Sequence, residues 1–270
     1  MYSAHTNVDV VRNGVSGKMC EKLGLENCQI LSPLNDQLLK LVTFVPVTHG
    51  EHVRKALFDA GAGHIGNYDA CSYNLSGEGT FRALEGANPF VGDLNSVHVE
   101  KEVRIETVLP VGIKRKVLTA LKEAHPYEEP AFDLYNLNNE WSTCGYGMLG
   151  DLAEDMDEMS FLQYVKKQFG CGCVRYTELT GRRVKRVAVC GGSGSDLLNN
   201  AIGAGADVFI SSDFKYHQFF DASKNIVIAD IGHFESEQFT KELFFELLTK
   251  KMPNFAIHLS NVSSNPINYL

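Results

Sequence analysis

Apolar residues recur along this chain at two periods, about 3.6 and 2, and the switches between them divide it into elements. A short extended piece ends at the Asn13-Gly14 turn. Val15, Met19, Cys20 and Leu23 then form a helical stripe that Gly24 stops. Pro33, Asn35 and Asp36 mark a boundary. Residues 39–47 read as a β-rich run, and residues 50–60 as a helix with Val53, Leu57 and Ala60 on one face. Residues 64–75 are strand-like and lead to a turn at Gly77-Glu78-Gly79. Residues 97–111 alternate strongly and are rich in β-branched side chains. Residues 112–124 form a second helix with Ile113, Val117 and Leu121 aligned, and residues 131–137 a last strand. This β-α-β, β-α-β order is that of the ferredoxin-like split unit.

The pattern changes after Asn138. Residues 145–151 read as a glycine-punctuated loop, and residues 160–169 as a helix. Strands at 184–190, 207–211 and 226–231 alternate with helices at 196–204, 216–222 and 235–250, and a final strand falls at 255–259. Strand–helix alternation of this kind implies a three-layer α/β lobe. The expected fold class is therefore α/β with an inserted α+β module. The expected divisions are residues 1–35, 36–138 and 139–270.

Composition narrows the functional classes. The chain has 270 residues, 44% of them apolar and 21% charged, with a formal charge of −8. These values suit a globular protein and argue against direct nucleic-acid contact. The basic clusters at 114–116 and 182–186 read as solvated surface. No apolar run approaches the length of a membrane span, and residues 1–9 lack the pattern of a signal peptide. Seven scattered cysteines read as reduced thiols in a cytoplasmic protein.

Two His-x-x-x-carboxylate segments stand near opposite ends of the chain, His5 to Asp9 and His233 to Glu237. Residues i and i+4 of a helix share a face, so each pair can offer an imidazole and a carboxylate together. That donor mix suits Zn, Mn or Fe. The plainer alternative is a helix start at which Glu235 and Glu237 complement the dipole. His217, in Ser212-Asp213-Phe214-Lys215-Tyr216-His217, follows a strand end and is either a general acid/base or a surface residue, with Asp213 as a possible N-cap. Residues 191–194, Gly-Gly-Ser-Gly, read as a tight turn first and a phosphate contact second, since neither a Walker nor a dinucleotide motif is complete. His125-Pro126-Tyr127-Glu128-Glu129-Pro130 reads as a rigid turn.

These segments resemble the Nif-three-like proteins, also called GTP cyclohydrolase 1 type 2 homologues. The resemblance spans essentially the whole chain, and residues 36–138 look like the PII/CutA-like insertion of some members. It implies a two-metal site between two α/β lobes of a toroidal homohexamer. His5, Asp9, His233 and Glu237 would be ligands to divalent Zn, Mn or Fe, and Asp9 or Glu237 would bridge. The implied activity is metal-dependent hydrolysis with a metal-bound water, acting on a nucleotide-like small molecule such as GTP, with His217 or Glu235 handling protons. A non-catalytic metal-binding scaffold or a protein-interaction adaptor is the alternative. Members carry an upstream His-His-Pro segment, and this sequence has no His-His pair. The expectation is an N-terminally truncated first lobe with a weakened site holding one ion or none.

Overall fold

The computed structural model describes residues 3–139, 141 and 143–270, in two compact units of residues 1–34 with 142–270 and residues 35–141. The chain opens with a single helical turn, α1 (Thr6–Asp9), where an extended piece was expected. The cause is local. The Asn7 carboxamide accepts the His5 backbone N–H at 2.9 Å, and the Val8 N–H reaches the His5 carbonyl at 2.8 Å. Short polar side chains of this kind divert the backbone into turns. Helix α2 (Val15–Leu23) follows as its stripe predicts and ends at a left-handed Gly24. Strand β1 (Glu26–Pro33) was not anticipated, and its register shift between Glu26 and Gln29 explains why no clean alternation marks it.

The inserted unit contains β2 (Leu38–Pro46), α3 (Gly50–Asp59), β3 (Ser72–Arg82), β4 (Val97–Pro110), α4 (Lys114–Ala124) and β5 (Phe132–Leu137). Its antiparallel sheet has the order β3-β4-β2-β5, the ferredoxin-like arrangement. Leu41, Val45, Val53, Leu57, Ile105, Leu109, Val117 and Leu121 close the core between one sheet face and the two helices. The expected turn at Gly77-Glu78-Gly79 lies instead inside β3. β3 is an edge strand with mostly exposed side chains, so its glycines dominated the pattern, whereas an eleven-residue ladder to β4 sets the actual conformation. Buried His125 stitches the 125–130 turn to the sheet. Its Nε2 donates to the Phe44 carbonyl at 2.9 Å and its Nδ1 accepts the Tyr127 N–H at 3.1 Å.

The chain then returns to the first unit with β6 (Gly145–Asp157), α5 (Glu158–Gln168), β7 (Arg175–Tyr176), β8 (Arg183–Ser193), α6 (Leu198–Gly203), β9 (Val208–Ser212), β10 (Val227–Asp230), α7 (His233–Glu237) and α8 (Thr240–Lys251). The sheet order is β1-β6-β8-β9-β10-β7, with β8, β9 and β10 parallel. Residues 1–34 therefore add β1 and α2 to this same unit and do not form a lobe of their own. One core, including Met19, Leu23, Phe161, Phe169 and Ile210, fills one sheet face beneath α2 and α5. A second core, including Phe209, Phe214, Leu198 and Ile228, fills the other face. The result is the three-layer sandwich that alternating elements imply.

Three expectations change here. Residues 145–151 are strand, not loop. Gly145 and Gly150 lie where β1 presses closest, and a Cβ on Gly145 would come within 2.3 Å of Ile30 Cγ2. The long helix expected over 235–250 breaks into α7 and α8. At the break, the Gln238 side chain donates to the Phe169 carbonyl at 2.7 Å and Phe239 packs on the Phe169 ring. Residues 255–259 are not strand. Among the described residues the cysteines are all unpaired, and no helix is long and apolar enough to cross a membrane.

Candidate metal centre

The parallel strands β8, β9 and β10 end side by side, and the loops beyond their carboxyl ends build the site, where ligands usually bind in such sheets. From β10 the chain passes through Gly232 into α7, whose i and i+4 residues are His233 and Glu237. His233 Nε2 and Glu237 Oε1 stand 3.5 Å apart. From β9 the chain enters Asp213, held at φ +60°. Asp213 Oδ2 accepts a hydrogen bond from His233 Nδ1 at 2.6 Å. That bond selects the ring orientation and turns Nε2 toward Glu237. Near the carboxyl end of β8 lies Gly192, at φ +65°, where a Cβ would stand 2.3 Å from Glu237 Oε1. Only a glycine adopts that backbone and leaves the carboxylate its place.

Buried hydroxyls hold this loop. Ser211 and Ser212 both donate to the Gly192 carbonyl, at 3.1 and 2.6 Å. The Gly192 N–H donates to Ser236 Oγ at 2.8 Å, and the Gly194 N–H to Ser211 Oγ at 3.0 Å. These two amides of the Gly-rich segment are therefore spent inside the protein, and residues 191–193 form the end of β8 where a turn was expected.

The N-terminal pair arrives through α2. Gly191 lets Val15 of α2 pack directly on the end of β8, since a Cβ there would lie 2.3 Å from Val15 Cγ1. The Gly191 N–H also donates to Ser16 Oγ at 3.3 Å. The segment between α1 and α2 is pinned to the start of β6, with Gly145 N–H on the Val10 carbonyl at 2.7 Å and Arg12 N–H on the Thr143 carbonyl at 3.0 Å. Asp9 is thereby brought within electrostatic range of His5 and His233, and Glu237 within range of Asp9, His5, His233 and Asp213.

The electrostatics of this cluster are uneven. Burial pushes the Asp9 carboxyl above its ordinary value, against the opposing charges of His5 and His233. Burial likewise raises Glu237; His233 opposes the rise and neighbouring Asp9 adds to it. For His233 burial acts downward, but the Asp213 hydrogen bond and the charges of Glu237, Asp213 and Asp9 outweigh it and hold the imidazole above its usual range. The cluster is open to solvent, with the His233 side chain 48% exposed.

The sequence-expected residues divide into two groups. His5, Asp9, His233 and Glu237 form one neighbourhood, although no three metal-type side chains among the described residues stand at ligating distance from a common point. Glu235 lies elsewhere. It is 5% exposed, and its Oε1 accepts from the Asn265 side chain at 3.0 Å. His217 is exposed and stacks edge-on against the Tyr216 ring. Asp213 is the residue of the candidate site that sequence reasoning missed. It does not cap the helical turn at Tyr216–Ala222, whose N-cap is Lys215. Its only sequence signal was its place just after a strand end.

An α/β sandwich with a ferredoxin-like insert and a histidine–carboxylate cluster at the parallel strand ends defines the class. The sequence profile of Duf34/NIF3 (NGG1p interacting factor 3) matches residues 1–266, and the chain belongs to that family. It is 41% identical over 275 residues to the GTP cyclohydrolase 1 type 2 homolog of Halalkalibacterium halodurans, covering all of this chain and 74% of the relative. It is 37% identical to the Bacillus subtilis protein of the same name, again covering 74% of it. Among solved structures it resembles the Bacillus cereus protein related to NIF3, with TM-score 0.83 and 40% identity over 100% of this chain and 73% of that one.

Proposed function

We propose that this chain is a metal-dependent hydrolase acting on a nucleotide-type small molecule, with His5, Asp9, His233 and Glu237 holding a divalent cation. The carrying observation is that two carboxyls, Asp9 and Glu237, are raised by burial in one neighbourhood with two imidazoles. Carboxylates crowded together out of water are relieved by a cation, and mixed nitrogen and oxygen donors suit Zn, Mn or Fe. A bound divalent ion would supply Lewis-acid activation of water.

The chain's own residues orient the site. Asp213 fixes the His233 ring so that Nε2 presents its lone pair inward. Gly192 keeps space beside Glu237, and Ser211, Ser212 and Ser236 keep Gly192 in place. The shared name of the relatives suggests GTP as the first substrate to test, and assembly into a homohexamer belongs to the same proposal.

The experiment is elemental mass spectrometry of the purified chain beside His233→Ala and Glu237→Gln, followed by GTP turnover with Mn, Zn or Fe added. One or two ions per chain, reduced in both variants, together with metal-dependent turnover, is the expected result. Metal retained without turnover would leave a non-catalytic metal-binding scaffold. Equal metal content in wild type and variants would sink the site assignment.

A further inference from the structure

The inserted unit holds a cavity of about 630 Å³ on the sheet face opposite its two helices. Phe44, Phe81, Phe90 and Tyr127 wall it. Phe81 and Phe90 both pack obliquely on the Tyr127 ring, with centroids 5.8 and 6.3 Å away. At its floor lies Glu102, only 8% exposed. Tyr127 donates its hydroxyl to Glu102 Oε1 at 3.0 Å, and no other hydrogen bond to this carboxylate is formed among the described residues. Its Oε2 receives no donor from the described residues and is open to the cavity, so a ligand that supplies one gains a charge-assisted hydrogen bond.

The space exists because two residues of β3 have no side chain. Gly77 stands directly opposite Glu102 in the ladder, so a side chain there would project over the same face. Gly79 lies under the carboxylate, and a Cβ on it would stand 2.2 Å from Glu102 Oε2. Glycine inside a strand weakens it and often marks the close approach of a ligand. Arg104, two residues along β4 on the same face, also lines the cavity. Its Nη2 is held by Glu106 at 2.9 Å, while its Nε has no partner.

We propose that this cavity binds a flat heterocycle carrying the 2-amino-4-oxo edge common to guanine and pterins. Two adjacent N–H groups of that edge match the Glu102 carboxylate, the neighbouring carbonyl matches the Arg104 guanidinium, and the ring stacks between the aromatic walls. Adenine does not fit, because its edge offers an acceptor where Glu102 needs a donor. The inserted unit thus carries a small-molecule site of its own, and the inference stands whether or not the candidate metal centre turns substrate over.

Isothermal titration of the full chain with guanosine, pterin and adenosine tests this. Saturable binding of guanosine or pterin at least tenfold tighter than adenosine is expected, and the tighter of the two identifies the ring system. Glu102→Gln should weaken it at least tenfold. Gly77→Phe should abolish it while leaving the fold unchanged by circular dichroism, since Gly77 has nothing within 4 Å of an added Cβ. Equal affinity for adenosine, or binding indifferent to both variants, would overturn the assignment. So would absent heat together with a mass by light scattering that falls on Phe90→Asp, which would make this face a contact between copies.

Discussion

At the scale of single residues, Asp213 and Cys28 carry the sharpest consequences. The hydrogen bond from His233 Nδ1 to Asp213 is the second largest influence on that imidazole after burial, and it acts upward. Asp213→Asn removes the charge and most of that support, so the His233 pKa should fall toward or below its ordinary value. An NMR pH titration of the His233 ring signals reads this directly; an unchanged midpoint would show that Asp213 does not govern the ring. Cys28 is separately activated. A hydrogen bond from Cys20 favours its thiolate first, the Arg12 charge adds to this, and the thiol is pushed down to about 7 despite partial burial. Thiolates are the reactive form. At pH 7.5 iodoacetamide should label Cys28 ahead of the buried Cys20, Cys171 and Cys190, and the fast phase should vanish in Cys28→Ser. Peptide mapping by mass spectrometry reports the order.

At the scale of elements, the three strand-end loops act together through Gly192. Gly192→Ala would impose a side chain at φ +65° and place its Cβ 2.3 Å from Glu237 Oε1. The expected cost is about 2 kcal/mol of stability, with loss of metal from the purified chain. Chemical denaturation and elemental analysis together check it, and wild-type stability with normal metal content would contradict the geometry. Elements also show where periodicity speaks and where it fails. Helices α2, α3 and α4 each bury one stripe on a core, so their 3.6 period survives in the sequence. β1, β3 and β6 lack such clarity. The bulge in β1, the solvated edge position of β3 and the close contacts that call for glycine in β6 each replace the alternation with something else.

For the whole molecule, the charges of the His5, Asp9, His233 and Glu237 cluster shape the response to pH. Asp9 and Glu237 are raised, so in the metal-free protein their ionisation disfavours the folded state. That penalty is absent below their unfolded values and complete above the folded ones. His233 is also raised, so its contribution is present below the unfolded imidazole value and lost as pH rises through the folded one. All three signs agree. The contribution of these three groups to the stability of the metal-free chain should decline from roughly pH 4 to above pH 7. It runs against the opposite contribution of Asp157, Glu158 and His125, whose pKa values are lowered. Glu237→Gln should flatten that decline and raise Tm at neutral pH. Saturating Mn or Zn should reverse the decline, because a cation favours the ionised carboxylates. Differential scanning fluorimetry across pH, with and without metal, measures each part; a Tm advantage of Glu237→Gln over the wild type that fails to grow with pH in the metal-free protein would refute it.

The sequence alone was enough for the three-layer class, the ferredoxin-like insert and the two His-x-x-x-carboxylate segments. Stripes on buried helices, apolar runs in β8, β9 and β10, and i, i+4 spacing are local properties that the chain displays wherever it is read. Tertiary structure decided the rest. It joined residues 1–34 to the sheet of residues 142–270 and brought Asp9 toward His233 across more than two hundred residues. It set Asp213 on the imidazole, turned Glu235 toward Asn265, and put the glycines of β3 beside Glu102, where they leave the space of a cavity. Each of these depends on which strand ends meet and which backbones approach closely, and packing between distant segments, not local periodicity, determines that.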